Sequence, residues 1–93
     1  MLVLNSAQGR RRQTRCGFVV AKRIGNAVVR NRAKRRVREA LRLMFDHIAP
    51  GNDLVLVVRN ADVASVPFTL LQDAVAQLVR QAGLWREHVR IGE

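Results

Sequence analysis

Residues 27–47 read AVVRNRAKRRVREALRLMFDH and are the longest periodic segment of the 93-residue chain. Asn26 precedes them, and an asparagine side chain in that position accepts a hydrogen bond from an early backbone N–H of a helix. Apolar side chains recur every three or four residues, which is the spacing of one face of an α-helix. The segment therefore predicts one amphipathic helix, with a buried stripe of Val29, Ala33, Val37, Ala40, Leu41, Met44, Phe45 and Ile48.

Two short apolar runs flank this helix and predict the strands on which it packs. Residues 17–21 (GFVVA) and 54–58 (LVLVV) are continuously apolar, which is typical of strands buried on both faces. A strand, a helix and a strand in succession usually form parallel neighbours joined by a crossover. The sequence thus predicts a parallel pair with the long helix between its strands.

The remaining segments complete a small fold. Residues 2–4 predict a further strand, and residues 69–82 predict a second amphipathic helix that ends at Gly83. Thr69 and Gln72 have the spacing of a helix-capping box. We expect an α+β fold, a two-layer α/β sandwich with a small mixed sheet, forming a single domain over residues 1–93. Residues 84–93 are expected to be a flexible tail, with a return of Trp85 onto the sheet as the alternative.

Positive charge is concentrated in one third of the chain. The 17 basic and 7 acidic side chains give a net charge of +10, and residues 10–42 hold 13 of those basic side chains but only one acid, Glu39. A dense block of one sign attracts polyanions. Fifteen of the 17 are arginine, which makes forked contacts with phosphate and stacks on bases. The composition therefore predicts a nucleic-acid partner.

The long helix carries a second stripe opposite its apolar one. Asn31, Arg35, Arg38 and Arg42 are spaced by four, three and four residues, so their side chains share one face. Like charges one turn apart repel, and Glu39 is the only acid nearby. This face is therefore expected to receive an external anion.

The chain lacks the residue patterns of an independent catalyst. Its acidic residues are scattered singly, whereas a two-metal nuclease needs converging carboxylates. His47 and His88 have no cysteine or carboxylate at ligand spacing, and Cys16 is typical of a small buried side chain. We predict no catalytic residue and no metal-binding side chain. No run reaches the roughly 18 apolar residues of a membrane span, and we expect a cytoplasmic protein.

A longer motif lies across the start of the helix. Residues 21–40 read AKRIGNAVVRNRAKRRVREA and contain the pattern K-x-x-G-N-A-V-x-R-N-R-x-K-R-x-x-R. This motif resembles the signature of the bacterial ribonuclease P protein component, with a weaker similarity from Leu2 to Gly83. The resemblance implies a subunit of an endoribonuclease whose catalytic RNA removes the 5′ leader of precursor tRNA, while the protein contributes binding. It also implies a left-handed crossover, against about 98% right-handed crossovers in general.

The resemblance also implies site residues and a cofactor. The catalytic RNA would contact Arg30, Asn31, Arg32, Lys34 and Arg36. The single-stranded leader would lie in a cleft lined by Asn31, Arg35 and Arg38, with Leu2, Leu4 and Val19 as its floor and Lys22 and Arg23 at its edge. Mg²⁺ would be bound mainly by the RNA subunit, near Asn31.

Members of this family usually begin with another helix, which carries aromatic residues of the leader cleft, whereas this sequence begins at its first predicted strand. Stacking contributes about 1 to 3 kcal/mol per base to single-strand binding. Three explanations fit this difference: a truncated chain, a start codon assigned late, or a divergent protein that binds the leader weakly. An uncovered sheet face is expected to lower stability or favour self-association.

Two other function classes fit part of the pattern. A general RNA-binding module would track phosphates with a steep salt dependence and no preference for the leader. A basic amphipathic helix could instead bind an anionic membrane, but its apolar stripe is better used in a core between two strands. Of these classes the motif favours the ribonuclease P subunit, with the catalytic RNA and precursor tRNA as partners.

Overall fold

The computed structural model describes residues 1–9 and 14–87. The stretch 8–14, in which a glycine and three consecutive arginines predict an exposed loop, therefore lies partly outside the described residues. Short 3₁₀ turns at Lys22–Ile24, Phe45–His47 and Ala61–Ala64 connect the main elements. These elements are, in chain order, strand β1 (Leu2–Gln8), strand β2 (Arg15–Val20), helix α1 (Ala27–Leu43), strand β3 (Asn52–Val58) and helix α2 (Phe68–Gln81).

The three strands form a mixed sheet with β3 at its centre. β3 pairs antiparallel with β1 and parallel with β2, where Cys16 lies opposite Leu54 and Val20 opposite Val58. α1 joins the two parallel strands, as predicted, and the α+β fold class is confirmed. The left-handed crossover stays a prediction.

The helices cover one face of the sheet. Leu54, Leu56 and Val58 of β3 are fully buried, while Val55 between them is half-buried. On β2, Val19 is 49% exposed because it points away from the helices. The prediction that these strands are buried on both faces is therefore wrong. A continuous apolar run does not reveal how many of its faces are covered.

α1 begins and packs as its sequence predicts but ends earlier. Asn26 caps it, since the side-chain oxygen of Asn26 accepts a 3.0 Å hydrogen bond from the Val29 N–H. The helix ends at Leu43, and Phe45 begins a 3₁₀ turn that leaves its ring 41% exposed. Phe45 was predicted to be a core residue, and it lies outside the core because the helical periodicity stops before it. The buried residues of α1 are Ala33, Val37, Ala40 and Leu41.

α2 has the predicted end but not the predicted start. It begins at Phe68 after Pro67, with no side-chain cap, so Thr69 lies inside the first turn and the capping-box prediction is wrong. At the other end Gly83 has a φ of 73°, and the Gly83 and Leu84 N–H groups donate to the Arg80 and Val79 carbonyls. These two bonds form a Schellman motif, which confirms Gly83 as the residue that ends the helix.

The segment after α2 is docked rather than loose over residues 84–87. The Ala49 N–H donates to the Leu84 carbonyl at 2.8 Å, and the Trp85 ring stacks on His47 with 4.7 Å between centroids. The guanidinium of Arg80 lies 4.5 Å from the centroid of the Trp85 ring. The flexible-tail prediction is therefore wrong for residues 84–87, and its remainder, 88–93, lies outside the described residues. Within residues 1–9 and 14–87, no helix is long and apolar enough to cross a membrane.

Candidate RNA interface

A groove follows the side of α1 that faces β2. Its first part, the basic groove, is lined by one amide and four cationic side chains. Val20 and Ala27 complete the lining near the start of the helix. The groove-lining polar residues are Arg30, Asn31, Lys34, Arg35 and Arg38.

An apolar slot continues the basic groove toward the end of α1. Arg38 lines both cavities and so marks the junction between them. The slot is formed between the outer strand β2 and the last turns of the helix. Its lining comprises Cys16, Phe18, Leu41 and Phe45, with Arg38 and Arg42 as the only charged members.

The electrostatics of this surface favour an anionic strand. Every charged residue that lines the basic groove is a cation, and Lys34 and Arg38 follow Arg30 at successive intervals of four residues, with Arg35 next to Lys34. At the junction, the guanidinium of Arg38 lies 5.5 Å from the centroid of the Phe18 ring, within the range of a cation–π contact. The groove therefore combines charges for phosphates with aromatic surface for bases.

The structure places the predicted contacts of the catalytic RNA on two sides of α1. Arg30, Asn31 and Lys34 lie together in the basic groove. Arg30 is half-buried there, and its Nε atom is buried without a hydrogen-bond partner among the described residues. Arg32 is exposed and does not line the groove. Lys34 lies with Asn31, Arg35 and Arg38, so it belongs to the predicted leader-binding face.

Arg36 has an internal role. Its guanidinium donates to the Val63 carbonyl at 2.8 Å and to the Val66 carbonyl, and it lies 6.0 Å from the centroid of the Phe68 ring. These bonds attach α1 to the loop that leads into α2. The assignment of Arg36 to RNA binding is therefore corrected, because both terminal nitrogens of the guanidinium hydrogen-bond to protein carbonyls.

The predicted floor of the leader cleft is also corrected. Leu2 and Leu4 pair with Val58 and Leu56, so they point toward the helices, whereas Val19 pairs with Val57 on the opposite face. The three side chains cannot line one floor, since successive strand residues point to opposite faces. Lys22 and Arg23 are exposed in the turn before α1 and do not line the groove.

Two aromatic residues of the groove were missed by sequence reasoning. Phe18 shares the inner face of β2 with Cys16, and strand alternation would have placed both residues beside α1. Phe45 gave no such signal, because its exposure depends on where α1 ends. The groove therefore has an aromatic lining that the basic stripe alone did not predict.

Glu39 restrains one cation of the slot. The Arg42 Nε and Nη2 atoms donate to the two Glu39 carboxylate oxygens at 2.9 and 2.5 Å. Hydrogen bonding from Arg42 lowers the pKa of the exposed Glu39 below its ordinary value. The pair is therefore complete at neutral pH and is lost only as the pH falls through that lowered pKa. At neutral pH the pair competes with phosphate for Arg42.

Replacing Glu39 by glutamine is expected to raise RNA affinity and to make its salt dependence steeper. Arg42 would then be free to contact a phosphate, which steepens the slope of log K against log salt by about 0.7 for a single strand. Fluorescence anisotropy with an unpaired RNA oligonucleotide over a salt series measures both changes. Asp73→Asn on α2 removes the same charge from an exposed site and serves as the control. An unchanged slope for Glu39→Gln, or an equal change for Asp73→Asn, would contradict the competition.

The side chains of the described residues offer Mg²⁺ no binding site of their own. Over residues 1–9 and 14–87, no group of three or more His, Cys, Asp or Glu side chains is placed to hold a metal ion. The charged lining of the groove is cationic, and of its side chains only Asn31 supplies an oxygen ligand. These residues do not fit a resident metal.

A mixed sheet covered on one face, with a cationic groove on its basic helix beside the outer strand, defines a small RNA-binding protein of α+β class. The family model described as Ribonuclease P matches residues 1–83. The chain belongs to the ribonuclease P protein family. Proteins of this family are the protein component of an endoribonuclease that matures the 5′ end of tRNA and whose RNA carries out catalysis.

Curated relatives and solved structures agree with this assignment. The ribonuclease P protein component of Roseiflexus castenholzii is 55% identical over 84 residues, which cover 90% of this chain and 69% of the relative. That of Chloroflexus aurantiacus is 53% identical over 83 residues, covering 89% of this chain and 62% of the relative. This chain therefore spans about two thirds of their length. The RNase P protein of Thermotoga maritima has a TM-score of 0.78 at 28% identity, covering 86% of this chain and 76% of that one.

Proposed function

We propose that this chain binds the catalytic RNA of ribonuclease P and holds the 5′ leader of precursor tRNA in the basic groove. One observation carries the proposal: a groove whose charged lining residues, from Arg30 to Arg38, are all cations borders an aromatic surface. An unpaired strand exposes phosphates and base faces together, whereas a duplex conceals its base faces in the stack. The groove therefore suits the leader better than the paired body of tRNA.

The residues of the basic groove are proposed to make different contacts with the leader. Lys34, Arg35 and Arg38 would neutralise successive phosphates, and the amide of Asn31 would add a neutral hydrogen bond. Because Arg38 is held against Phe18, little side-chain entropy is lost when it meets a phosphate. These residues position the leader and transfer no proton.

The catalytic RNA is proposed to meet the start of α1. Arg32 is exposed there on a side of the helix that does not line the groove, and Lys22 and Arg23 are exposed in the preceding turn. Cations on two sides of one helix allow the chain to touch the catalytic RNA and the leader together. Mg²⁺ is proposed to bind the RNA subunit, where it would supply the activated water and charge stabilisation of phosphodiester hydrolysis. We place the assembly in the cytoplasm, where precursor tRNA is made.

Reconstitution with the cognate catalytic RNA tests the proposal. The full chain is expected to increase cleavage of precursor tRNA at low Mg²⁺ over the RNA alone, because its cations offset the repulsion between two RNAs. It is also expected to increase affinity for precursor tRNA more than for mature tRNA. Equal cleavage with and without the protein would contradict the proposal. Equal gains for precursor and mature tRNA would indicate a general RNA-binding module.

A further inference from the structure

We propose that the apolar slot is a subsite for one unpaired base of the RNA strand, at the nucleotide that follows those held between Arg30 and Arg38. The inference rests on the proposed function of the basic groove. It adds a contact at the end of α1, beyond Arg38, which is the last residue of the basic motif. The base would enter between the inner face of β2 and the last turn of the helix, beside Phe18 and Phe45.

The slot has the size and surface of a binding site for a flat aromatic group. Its volume of about 420 Å³ lies within the roughly 300 to 1,000 Å³ of small-ligand sites. Phe18, Leu41 and Phe45 give it apolar walls, and Phe45 keeps 41% of its surface exposed although the ring is large. Stacking a base on these side chains would remove that apolar surface from water.

The slot continues the path of the RNA strand. Arg38 belongs to both cavities, so a phosphate bound by Arg38 brings the next nucleotide to the mouth of the slot. Arg42 lies at the rim with 65% of its side-chain surface exposed, so a phosphate can reach it in competition with Glu39. Arg38 at the junction and Arg42 at the rim are therefore placed to contact the two phosphates that flank one nucleotide, while its base lies in the slot.

Charge complementarity selects a base over other apolar occupants. A second copy of this chain would bring another +10 net charge against Arg38 and Arg42, and the two copies would repel. An uncharged apolar helix would cover the Arg38 guanidinium without pairing it, at the cost of burying unpaired charge. A nucleotide supplies both the aromatic face and the compensating phosphates.

The slot is expected to accept a base without reading its identity. No amide or hydroxyl side chain lines it, and stacking on an aromatic side chain tolerates every base. Its contribution should therefore appear as a dependence on the presence of a base at one leader position, not as a preference for one sequence.

Abasic substitution in the leader tests this subsite in the assembled complex. Precursor tRNAs, each with a single abasic nucleotide at a successive leader position, are titrated with the reconstituted protein–RNA complex. We expect one position at which the abasic nucleotide weakens binding by about 5- to 100-fold, as expected for the loss of one stacked base. With the Phe45→Ala protein, the abasic nucleotide at that leader position should no longer weaken binding. With the Phe45→Trp protein, it should still weaken binding.

Leu43→Ala is the matched control, because Leu43 is 52% exposed on the same end of α1 but does not line the slot. It should leave the abasic profile unchanged. The fluorescence of 2-aminopurine placed at the sensitive leader position should be quenched when the wild-type complex binds. The quenching should be lost with the Phe45→Ala protein.

Two results separate the subsite from the proposed function. If leader-containing tRNA still binds more tightly than mature tRNA but no leader position responds to Phe45→Ala, the subsite is wrong and the basic groove stands. If precursor and mature tRNA bind equally, the proposed function itself fails. A Phe45-dependent dimer with a flat abasic profile would identify a second copy as the occupant and also overturn the subsite.

Discussion

Replacing Lys34 and Arg38 together by alanine is expected to weaken binding of leader-containing precursor tRNA by roughly 100-fold, which corresponds to about 3 kcal/mol. Each residue supplies one charge-assisted contact with a phosphate, worth about 1.5 kcal/mol. The loss of Arg38 also removes the guanidinium from the Phe18 ring, which is 5.5 Å away. Equilibrium binding of precursor and mature tRNA to the reconstituted complex measures the effect.

The comparison between the two substrates decides whether these residues act on the leader. Affinity for mature tRNA should fall much less, because mature tRNA has no unpaired strand to place in the groove. Arg59→Ala with Arg86→Ala is the control, since both residues are exposed, neither lines the groove, and the same charge is removed. Equal losses of affinity for precursor and mature tRNA would show that Lys34 and Arg38 contribute only to the overall electrostatic attraction between the protein and RNA.

Arg36→Met is expected to lower the free energy of unfolding by about 2 to 4 kcal/mol, because two backbone carbonyls lose charge-assisted donors. The Val63 carbonyl belongs to a buried residue and the Val66 carbonyl to a half-buried one, so water replaces the lost bonds poorly. Methionine keeps the unbranched stem and its packing near Phe68. Urea denaturation followed by circular dichroism measures the change.

Arg35→Met provides the matched comparison one residue earlier. Arg35 is exposed, and exposed substitutions usually change stability by about 0.5 kcal/mol or less. Under conditions where both variants are folded, Arg35→Met should weaken leader binding more than Arg36→Met does. Equal stabilities would contradict the internal role of Arg36. A greater loss of RNA affinity in Arg36→Met would return that residue to the RNA-contacting set.

The long helix and the parallel strand pair could be predicted from sequence because their signals are local. The spacing of Ala33, Val37 and Ala40 fixes the buried side of α1, and Asn26 fixes its start. The basic face was found in the same way, through Asn31, Arg35 and Arg38. The omission of Lys34 from that face was avoidable, since it lies three residues from Asn31 and four from Arg38.

The sequence predictions that the structure corrects concern residues whose contacts depend on a segment that is distant in sequence. Arg36 differs from its basic neighbours only because the loop before α2 brings the Val63 and Val66 carbonyls to it. The separation of Val19 from Leu2 depends on the register of strands that are remote in sequence. In each case the helical or strand period predicts which face of its element a side chain lies on. It does not predict which residues from distant segments contact the side chain there.

Trp85 gives the molecule a built-in optical reporter. It is the only tryptophan, the chain has no tyrosine, and its indole contacts both the His47 ring and the Arg80 guanidinium. Its emission therefore registers whether the segment behind α2 is seated against the connection between α1 and β3. Because Trp85 lines neither the basic groove nor the apolar slot, one chromophore can follow the integrity of the protein while labelled RNA follows occupancy.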